Sequence, residues 1–211
     1  TQNQALSALL LLCREVLDID LGQMNRTVRA CRGRKLPTVL SADEVAAVIA
    51  HVPVHLQLMV KLLYGSGLRL SEVLRLRVKD VDFEMNQIVV RSGKGNKDRT
   101  TILPESLKAA LTGHLEAVRA LHQEDLAKEL GGVYMPHALA KKYPGAQKEW
   151  GWQWVFPARD LSVDPRTCTV RRHHVLPQVL QRAVHQAVRQ AGIDKHASVH
   201  TLRHTFATHL L

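Results

Sequence analysis

The spacing of apolar residues in the middle of the chain differs from that on either side, and this difference most restricts the possible folds. In most of the chain before residue 78 and in the segments 104–130 and 176–190, apolar side chains recur every three or four positions, which predicts amphipathic helices. Between Val78 and Leu103 the residues alternate and are often β-branched, with turn-forming residues at 84–86 and 92–96. We therefore expect a mainly α-helical protein with a small three-stranded antiparallel β-sheet.

Capping and stop signals predict the individual helices. Ser41 and Glu44 form a capping box that predicts a helix from Ala42. Ser71 and Ser198 are expected to cap two further helices, because serine hydroxyls accept hydrogen bonds from free amides. The other helices are expected at residues 1–19, with 5–13 buried, and at 24–31, 53–63, 104–130 and 176–190.

A basic segment divides the chain into two predicted domains. Residues 32–37 are rich in Arg and Lys, contain one Gly and one Pro, and lack a helical charge pattern. We place the boundary there, with residues 1–35 as the end of a helical domain plus linker and residues 36–211 as a second domain. Residues 131–172 mix Pro, Gly and Trp without a clear period, which predicts an insertion of irregular structure.

The charge balance favours a polyanionic partner. The chain has 29 Lys and Arg against 19 Asp and Glu, a formal net charge of +10. A basic protein with no dedicated ligand is the alternative. Cys13, Cys31 and Cys168 are odd in number and widely spaced, which indicates neither a disulfide framework nor a four-cysteine zinc site and is compatible with a reducing cytoplasm. No apolar run reaches the roughly 20 residues that span a bilayer, so no membrane partner is expected.

Two segments place a cation beside a glycine turn. Arg69, in residues 67–72, precedes a predicted helix, where a guanidinium beside free amides suits a phosphate oxygen. The alternative is a surface pair with Glu72. Lys94 lies between two glycines in residues 92–99, where a long ammonium can reach a substrate and protonate a leaving 5′ oxygen. The alternative is an ordinary solvated turn.

A third segment contains His200 and Arg203, three positions apart on one predicted helix face and able to reach one target. A solvated or packed helix start is the alternative. His200 and His204 have the spacing of two zinc ligands on a helix, but no glutamate follows His200 as a zinc-hydrolase motif requires. No second cysteine lies near Cys168, so we predict no metal site.

Together these segments, GLRLSE at 67–72, GKGNKDR at 93–99 and HTLRHTFAT at 200–208, resemble the catalytic signatures of the tyrosine recombinases, the phage integrase family, in order and spacing. The resemblance covers essentially the whole chain. It implies the catalytic-domain fold of these enzymes from about residue 38. It also implies that the preceding residues are the last helices of a helical (SAM-like) core-binding domain.

The resemblance assigns roles residue by residue. Arg69 and Arg203 match the paired arginines that neutralise the transition state at the scissile phosphate. Lys94 matches the hairpin lysine that acts as general acid, and His200 the first catalytic histidine. Further DNA contacts are expected from these cations and histidines: Lys97, Arg99, Lys141, Lys142, His173 and His174.

In this family a tyrosine near the C-terminus attacks the phosphate and forms a 3′-phosphotyrosyl link, with no metal, cofactor or small-molecule substrate. This sequence ends at Leu211, before the expected positions of the second catalytic histidine and of that tyrosine. Tyr64, Tyr134 and Tyr143 all precede His200. We therefore expect the chain as given to be truncated, to bind DNA and not to cleave it.

Residues 135–144 and 150–157 resemble the extra segment of integron integrases, which simple phage and Xer-type recombinases lack. In integron integrases this segment helps recognise bases extruded from a folded single-stranded attC hairpin, which recombines with an attI duplex or another attC. Trp152 is expected to stack on such a base. Trp150 and Trp154 are expected to pin the insertion to the core instead.

The resemblance thus implies an integron integrase in the bacterial cytoplasm, associated with the nucleoid when bound, and tetrameric on DNA when complete. A phage or transposon integrase with an unrelated insertion is the alternative within the family, and a non-catalytic DNA-binding module is the alternative outside it. A preference for a folded hairpin over the matching linear duplex would favour an integron integrase over another phage or transposon integrase. A tyrosine segment beyond Leu211 would favour an enzyme over a non-catalytic binding module.

Overall fold

The structure of the chain, a computed structural model, describes residues 2–19, 36–91 and 97–211. The chain divides into two compact units, Thr1–Leu36 and Pro37–Leu211. Three predicted features fall wholly or mostly outside the described residues: the helix at 24–31, the basic segment at 32–37 and the glycine-rich turn at 92–96.

The first unit contains the helix α1 (Gln2–Glu15). None of its residues is buried, and the apolar side chains of Leu9 and Leu11 are largely exposed. The prediction that residues 5–13 form a buried face is therefore wrong for the described residues. An amphipathic helix buries its apolar stripe only where another element packs against it.

The second unit is mainly helical. Its α-helices are α2 (Ala42–His51), α3 (Val54–Gly65), α4 (Leu70–Leu74), α5 (Lys108–Ala127), α6 (His137–Lys142), α7 (Pro177–Gln190) and α8 (Val199–His209). Short 3-10 turns lie at Val78–Asp80, Glu105–Leu107, Ala146–Lys148 and Trp150–Trp152. Among the described residues, no helix combines the length and the apolar character needed to cross a membrane.

The predicted antiparallel sheet is present, in the order β1-β2-β3. Its strands are β1 (Val81–Asp82), β2 (Gln87–Val90) and β3 (Arg99–Ile102). In β2, Ile88 and Val90 are buried while Gln87 and Val89 are partly exposed, the alternation expected of a strand with one face on the core. The predicted fold class, mainly helical with a small three-stranded sheet, is confirmed.

Local capping explains where two helices begin. The predicted capping box before α2 is confirmed: Ser41 Oγ accepts from the Glu44 amide (3.2 Å), and the Glu44 carboxylate accepts from the Ser41 amide (2.7 Å). The start of α4 differs from the prediction, because its N-cap is Arg69 and not Ser71. The Glu72 carboxylate accepts the Arg69 amide at 2.7 Å, so the helix is capped two residues earlier.

The insertion has more regular structure than expected. It contains α6, two 3-10 turns and most of a second, two-stranded antiparallel sheet, formed by β4 (Pro157–Val163) and β5 (Val170–His174). The prediction of irregular structure is therefore wrong for this part of the chain. Residues of β4 are partly or fully exposed along the whole strand, so its sequence lacks the apolar alternation that indicates a half-buried strand.

The core of the second unit lies among α2, α3, α4, α7, α8 and the three-stranded sheet. Helix α2 packs against α7, and α3 packs against both α4 and α8. Leu63, Leu180 and Leu202 are almost completely buried in this core. Thr205 of α8 is also fully buried, and its hydroxyl accepts from the Leu40 amide at 3.1 Å. Because α4 and α8 share α3 as a packing partner, their functional side chains come close together.

Candidate functional site

The turn between α3 and α4 places Arg69 at the start of a helix. Gly67 has a φ of +57°, in the left-handed region that favours glycine. A Cβ atom on Gly67 would also collide with the Phe206 ring of α8. Glycine is therefore required twice at this point, by the backbone angle and by the close approach of α8. Arg69 follows as the N-cap residue of α4.

Glu72, in the first turn of α4, binds two arginines at once. Its carboxylate accepts from the amide and Nη1 of Arg69, both at 2.7 Å. It also accepts from Nη1 and Nη2 of Arg99 at 2.9 and 2.8 Å, a bidentate pair. The Glu72 side chain is only 7% exposed. Arg69 therefore does pair with Glu72, but within a shielded network and not as the isolated surface pair considered from the sequence.

Arg203 reaches the same carboxylate from α8. Its Nη1 donates to the Gly67 carbonyl and lies 3.8 Å from Glu72 Oε2. We call Arg69, Arg99 and Arg203 the arginine cluster. Together with the one Glu72 carboxylate, its three guanidinium groups carry a net charge of +2. The side chains of Arg69, Arg99 and Arg203 are 33%, 32% and 29% exposed, so each is partly accessible to solvent.

The electrostatics of the cluster favour an anion. Burial is the largest influence on the Glu72 carboxyl and raises its pKa, but hydrogen bonds from Arg99 and Arg69 outweigh burial and lower the pKa to about 2. Burial and the neighbouring charge of Arg69 lower the pKa of Arg203. A bound phosphate would relieve this repulsion, because it supplies negative charge and planar pairs of acceptor oxygens that match guanidinium donors.

Of the two remaining predicted catalytic residues, His200 is described by the structure and Lys94 is not. His200 lies in the first turn of α8, one turn before Arg203, and its side chain is exposed with no hydrogen-bond partner within the described residues. It is available to a bound ligand on the same helix as Arg203. Lys94 lies outside the described residues. Lys97, just after that gap, is exposed.

Trp152, the predicted base-stacking residue, is partly exposed in the last 3-10 turn of the insertion. The ammonium of Lys79 lies 2.7 Å from the centroid of its ring, and the Arg77 guanidinium lies 5.5 Å from it. Arg77 also donates to the Trp152 carbonyl at 2.5 Å. Arg77 and Lys79 thus contact the indole from the segment just before β1, with the Lys79 ammonium over the ring, and their charge attracts an electron-rich or anionic ligand.

Trp154 and the two predicted histidine contacts form one packed group. Trp154 is buried, with the rings of His173 and His174 at 5.9 and 5.2 Å from its own. Burial lowers the pKa of both histidines, so both imidazoles are mainly neutral at pH 7. His173 is partly exposed and remains available to a ligand. His174 is only 7% exposed and bonds to the Val175 carbonyl, so its expected DNA contact is not supported.

Helix α6, within the insertion, presents positive charge. Lys141 and Lys142 are exposed at the end of α6, and the Lys142 ammonium lies 5.3 Å from the Tyr143 ring.

Trp150 is partly buried, with its ring 6.1 Å from that of His122. Across residues 2–19, 36–91 and 97–211, no group of three or more His, Cys, Asp or Glu side chains is arranged to hold a metal ion.

Sequence reasoning did not predict the roles of two residues of the site. Glu72 was considered only as a surface partner of Arg69, although an acidic residue three positions after Arg69 is also the far half of a capping box. Arg77 had none. It is buried and donates to the carbonyls of Trp152 and Tyr134, which lie 75 and 57 positions away in the sequence. Only folding brings these groups together.

The second unit has the fold of tyrosine recombinase catalytic domains. Residues 38–211 match the phage integrase family, and the chain belongs to that family. Among curated relatives, an integrase/recombinase from Escherichia coli and one from Pseudomonas aeruginosa are each 48% identical over 211 residues. The alignment covers 100% of this chain and 63% of each relative, so the chain spans under two thirds of their length.

More distant relatives agree on the class. Tyrosine recombinase XerA of Pyrococcus furiosus is 30% identical over 181 residues, which cover 84% of this chain and 49% of the relative. The crystal structure of XerA recombinase superposes with a TM-score of 0.54 at 27% identity, covering 99% of this chain and 61% of that one. A lambda integrase tetramer bound to a Holliday junction gives a TM-score of 0.57 at 17% identity, covering 96% and 51%, which shows the fold alone.

Proposed function

We propose that this chain carries the DNA-phosphate site of a site-specific tyrosine recombinase. The observation that supports this most directly is the arginine cluster, in which Arg69 and Arg203 meet beside one buried carboxylate although they come from separate helices. Charge that accumulates on a phosphate during attack is stabilised most by cations already held in place. Glu72 and the Gly67 carbonyl hold the two guanidinium groups before any DNA arrives.

In this proposal two further groups act beside the arginine cluster. Lys94 protonates the leaving 5′ oxygen, and His200 binds the phosphate beside Arg203 on the same helix. Tyr64, Tyr134 and Tyr143 are not assigned as the nucleophile, because all three precede His200 in the sequence. The role proposed for these 211 residues is DNA-phosphate binding, and strand cleavage through a 3′-phosphotyrosine, without a metal or cofactor, is proposed for a longer protein, of the relatives' full length.

We further propose that the protein is an integron integrase acting on a folded attC hairpin and an attI duplex. The supporting feature is the insertion, which places the partly exposed Trp152 indole against Lys79, whose ammonium lies over the ring, and presents Lys141 and Lys142 in the last turn of α6. An aromatic face next to cations suits an extruded base and its phosphate. His173 is partly exposed near this group and is the second base contact in the proposal.

The proposal extends to the architecture of the longer protein. Residues 1–35 are the end of a helical core-binding domain plus linker, and residues 36–211 are a catalytic domain with an insertion at about 131–172. The lambda integrase of similar fold is a tetramer on a Holliday junction. We propose that the complete protein likewise acts as a tetramer on two DNA sites, in the bacterial cytoplasm at the nucleoid.

The phosphate role is tested by binding a fluorescein-labelled DNA site over a salt series. We expect log affinity to fall linearly with log salt, with a slope of about 0.9 for each phosphate neutralised. Arg69→Ala and Arg203→Ala should each weaken binding and make the slope shallower by about one. In the longer protein both changes should abolish strand exchange. A flat salt response of the wild type, or unchanged recombination in either variant, contradicts the proposal.

The integron assignment is tested by competition between two DNA forms of one sequence. A folded hairpin with extruded bases should displace the labelled probe at lower concentration than the matching linear duplex. Equal affinity would favour another phage or transposon recombinase with an unrelated insertion. Tight binding without any recombination by the longer protein would favour a non-catalytic DNA-binding module.

A further inference from the structure

We infer that Arg99 is a positioning residue that neutralises Glu72, so that Arg69 and Arg203 are free to bind the scissile phosphate. The inference rests on the proposed phosphate site and assigns Arg99 a role other than the direct DNA contact expected from the sequence. Its basis is the unequal way in which the three arginines bind one carboxylate.

Arg99 makes the most complete pair with Glu72. Its Nη1 and Nη2 each donate to a different carboxylate oxygen, at 2.9 and 2.8 Å. Arg69 uses only Nη1 of its guanidinium, together with its backbone amide. Arg203 does not form a hydrogen bond with Glu72, since its nearest nitrogen is 3.8 Å from Oε2. Arg99 therefore matches the carboxylate with a parallel two-bond geometry, which is the most favourable for a guanidinium.

This difference matters when a phosphate enters the cluster. A carboxylate that is 7% exposed is poorly solvated by water and needs a cation in contact. With Arg99 bidentate, Glu72 remains neutralised and capped by the Arg69 amide even when the Arg69 guanidinium turns to the phosphate. Without Arg99, Glu72 would compete with the phosphate for Arg69 and Arg203. Arg99 thus determines how readily the guanidinium groups of Arg69 and Arg203 can bind the phosphate.

The place of Arg99 in the chain adds a second consequence. It is the first residue of β3 and pairs with Val90 of β2, and it comes five positions after Lys94. The Arg99–Glu72 pair therefore connects the strand that follows the lysine segment to the helix whose N-cap is Arg69. A substitution that breaks the pair removes this contact between β3 and α4.

A double-mutant cycle separates this role from a direct DNA contact. Arg99→Ala should weaken binding of the labelled DNA site about tenfold in the presence of Glu72. In the Glu72→Gln background the same change should cost less than about threefold, because no competing carboxylate remains. If Arg99 contacts DNA directly, the loss is the same in both backgrounds, and that result overturns the inference.

The Arg99→Lys variant gives an independent test that keeps the charge. Lysine cannot form the bidentate pair, so a positioning role predicts a loss close to that of Arg99→Ala, whereas a simple phosphate contact predicts near wild-type affinity. Lys97→Ala is the matched control, because Lys97 is a neighbouring exposed cation. It should weaken DNA binding by the same factor in the wild-type and Glu72→Gln backgrounds. If Arg99→Ala also weakens binding by the same factor in both backgrounds, the inference is contradicted.

Folding is checked by circular dichroism and thermal unfolding of each variant. If Arg99→Ala does not fold, the cycle built on Arg99→Lys decides between the two roles. Absence of salt-dependent DNA binding by the wild-type chain would instead reject the proposed function itself. Strong wild-type binding with an additive cycle would reject only the role of Arg99.

Discussion

The guanidinium of Arg77 lies 4.0 Å from the ring centroid of Trp154, and this contact fastens the insertion to the rest of the catalytic unit. Arg77 is 8% exposed and has no carboxylate in a side-chain ion pair within the described residues. It donates instead to the carbonyls of Trp152 (2.5 Å) and Tyr134 (2.8 Å). Burial lowers the pKa of Arg77 to about 10, which still leaves it charged at neutral pH. The insertion is therefore attached to this part of the unit through a buried cation, Arg77.

Replacing Arg77 should destabilise the second unit markedly. Arg77→Ala removes the stacking on Trp154 and leaves two partly buried carbonyls without the Arg77 donors, at an expected cost of about 3 kcal/mol. Arg75→Ala, at an exposed position two residues earlier, should change stability by less than about 0.5 kcal/mol. Urea unfolding followed by tryptophan fluorescence measures both. Equal stability of the two variants would show that the Arg77 contacts contribute little.

Gly67→Ala tests the close approach of α8 to the arginine turn. The variant must place an alanine at φ +57° and push the Phe206 ring aside, so we expect a loss of about 2–3 kcal/mol and weaker DNA binding. Gly113→Ala is the control, because it lies in α5 with no atom within 4 Å of its added Cβ. That change should be neutral or stabilise by up to about 1 kcal/mol. A stable Gly67→Ala variant with unchanged binding would contradict this account.

Trp152→Ala should act on DNA selectivity more than on folding. The indole is partly exposed, and its loss removes a stacking surface of about 1 to 3 kcal/mol per base from the hairpin complex but not from the duplex complex. Competition between hairpin and duplex measures the ratio. Trp150→Ala, which removes a ring packed near His122, should lower stability without changing that ratio. Parallel weakening of hairpin and duplex by Trp152→Ala would exclude the stacking role.

Acid should weaken the second unit partly through Glu72. Its pKa is about 2 when folded against 4.5 as an ordinary carboxyl, so its ionised form favours folding at pH values above about 5. This contribution is lost as pH falls from about 5 towards 2. Burial also lowers the pKa of His114 and His122, whose neutral forms favour folding, so some stability is lost below about pH 6.5 as well.

The Glu72→Gln variant separates these causes. It keeps the histidines, so its stability should still decline below about pH 6.5, but it should lose less than the wild type between pH 5 and pH 2.5. Urea unfolding at fixed ionic strength across this range provides the measurement. Identical pH profiles for the two proteins would mean that the ionised Glu72 does not stabilise the fold.

Much of the fold was predictable because its signals are local. The capping box of Ser41 and Glu44 and the alternation in β2 both depend on residues a few positions apart, and both are confirmed. Strand β4 was missed because most of its residues are exposed, so no buried face imposes an alternating pattern, and β5 was missed because its partly buried positions carry Arg and His instead of apolar residues. The exposed face of α1 was mistaken for a core face because an apolar stripe does not identify what covers it.

For the site, the sequence by itself determined which residue types are present, their order, and the three segments that mark the family. Only the tertiary structure decided that Arg69, Arg99 and Arg203 share Glu72, that His174 is buried, and that Arg77 fastens the insertion. The reason is physical. Helix periods and caps depend on neighbours within one or two turns, whereas the pairing of buried charges depends on which distant side chains the packed core brings within hydrogen-bonding distance.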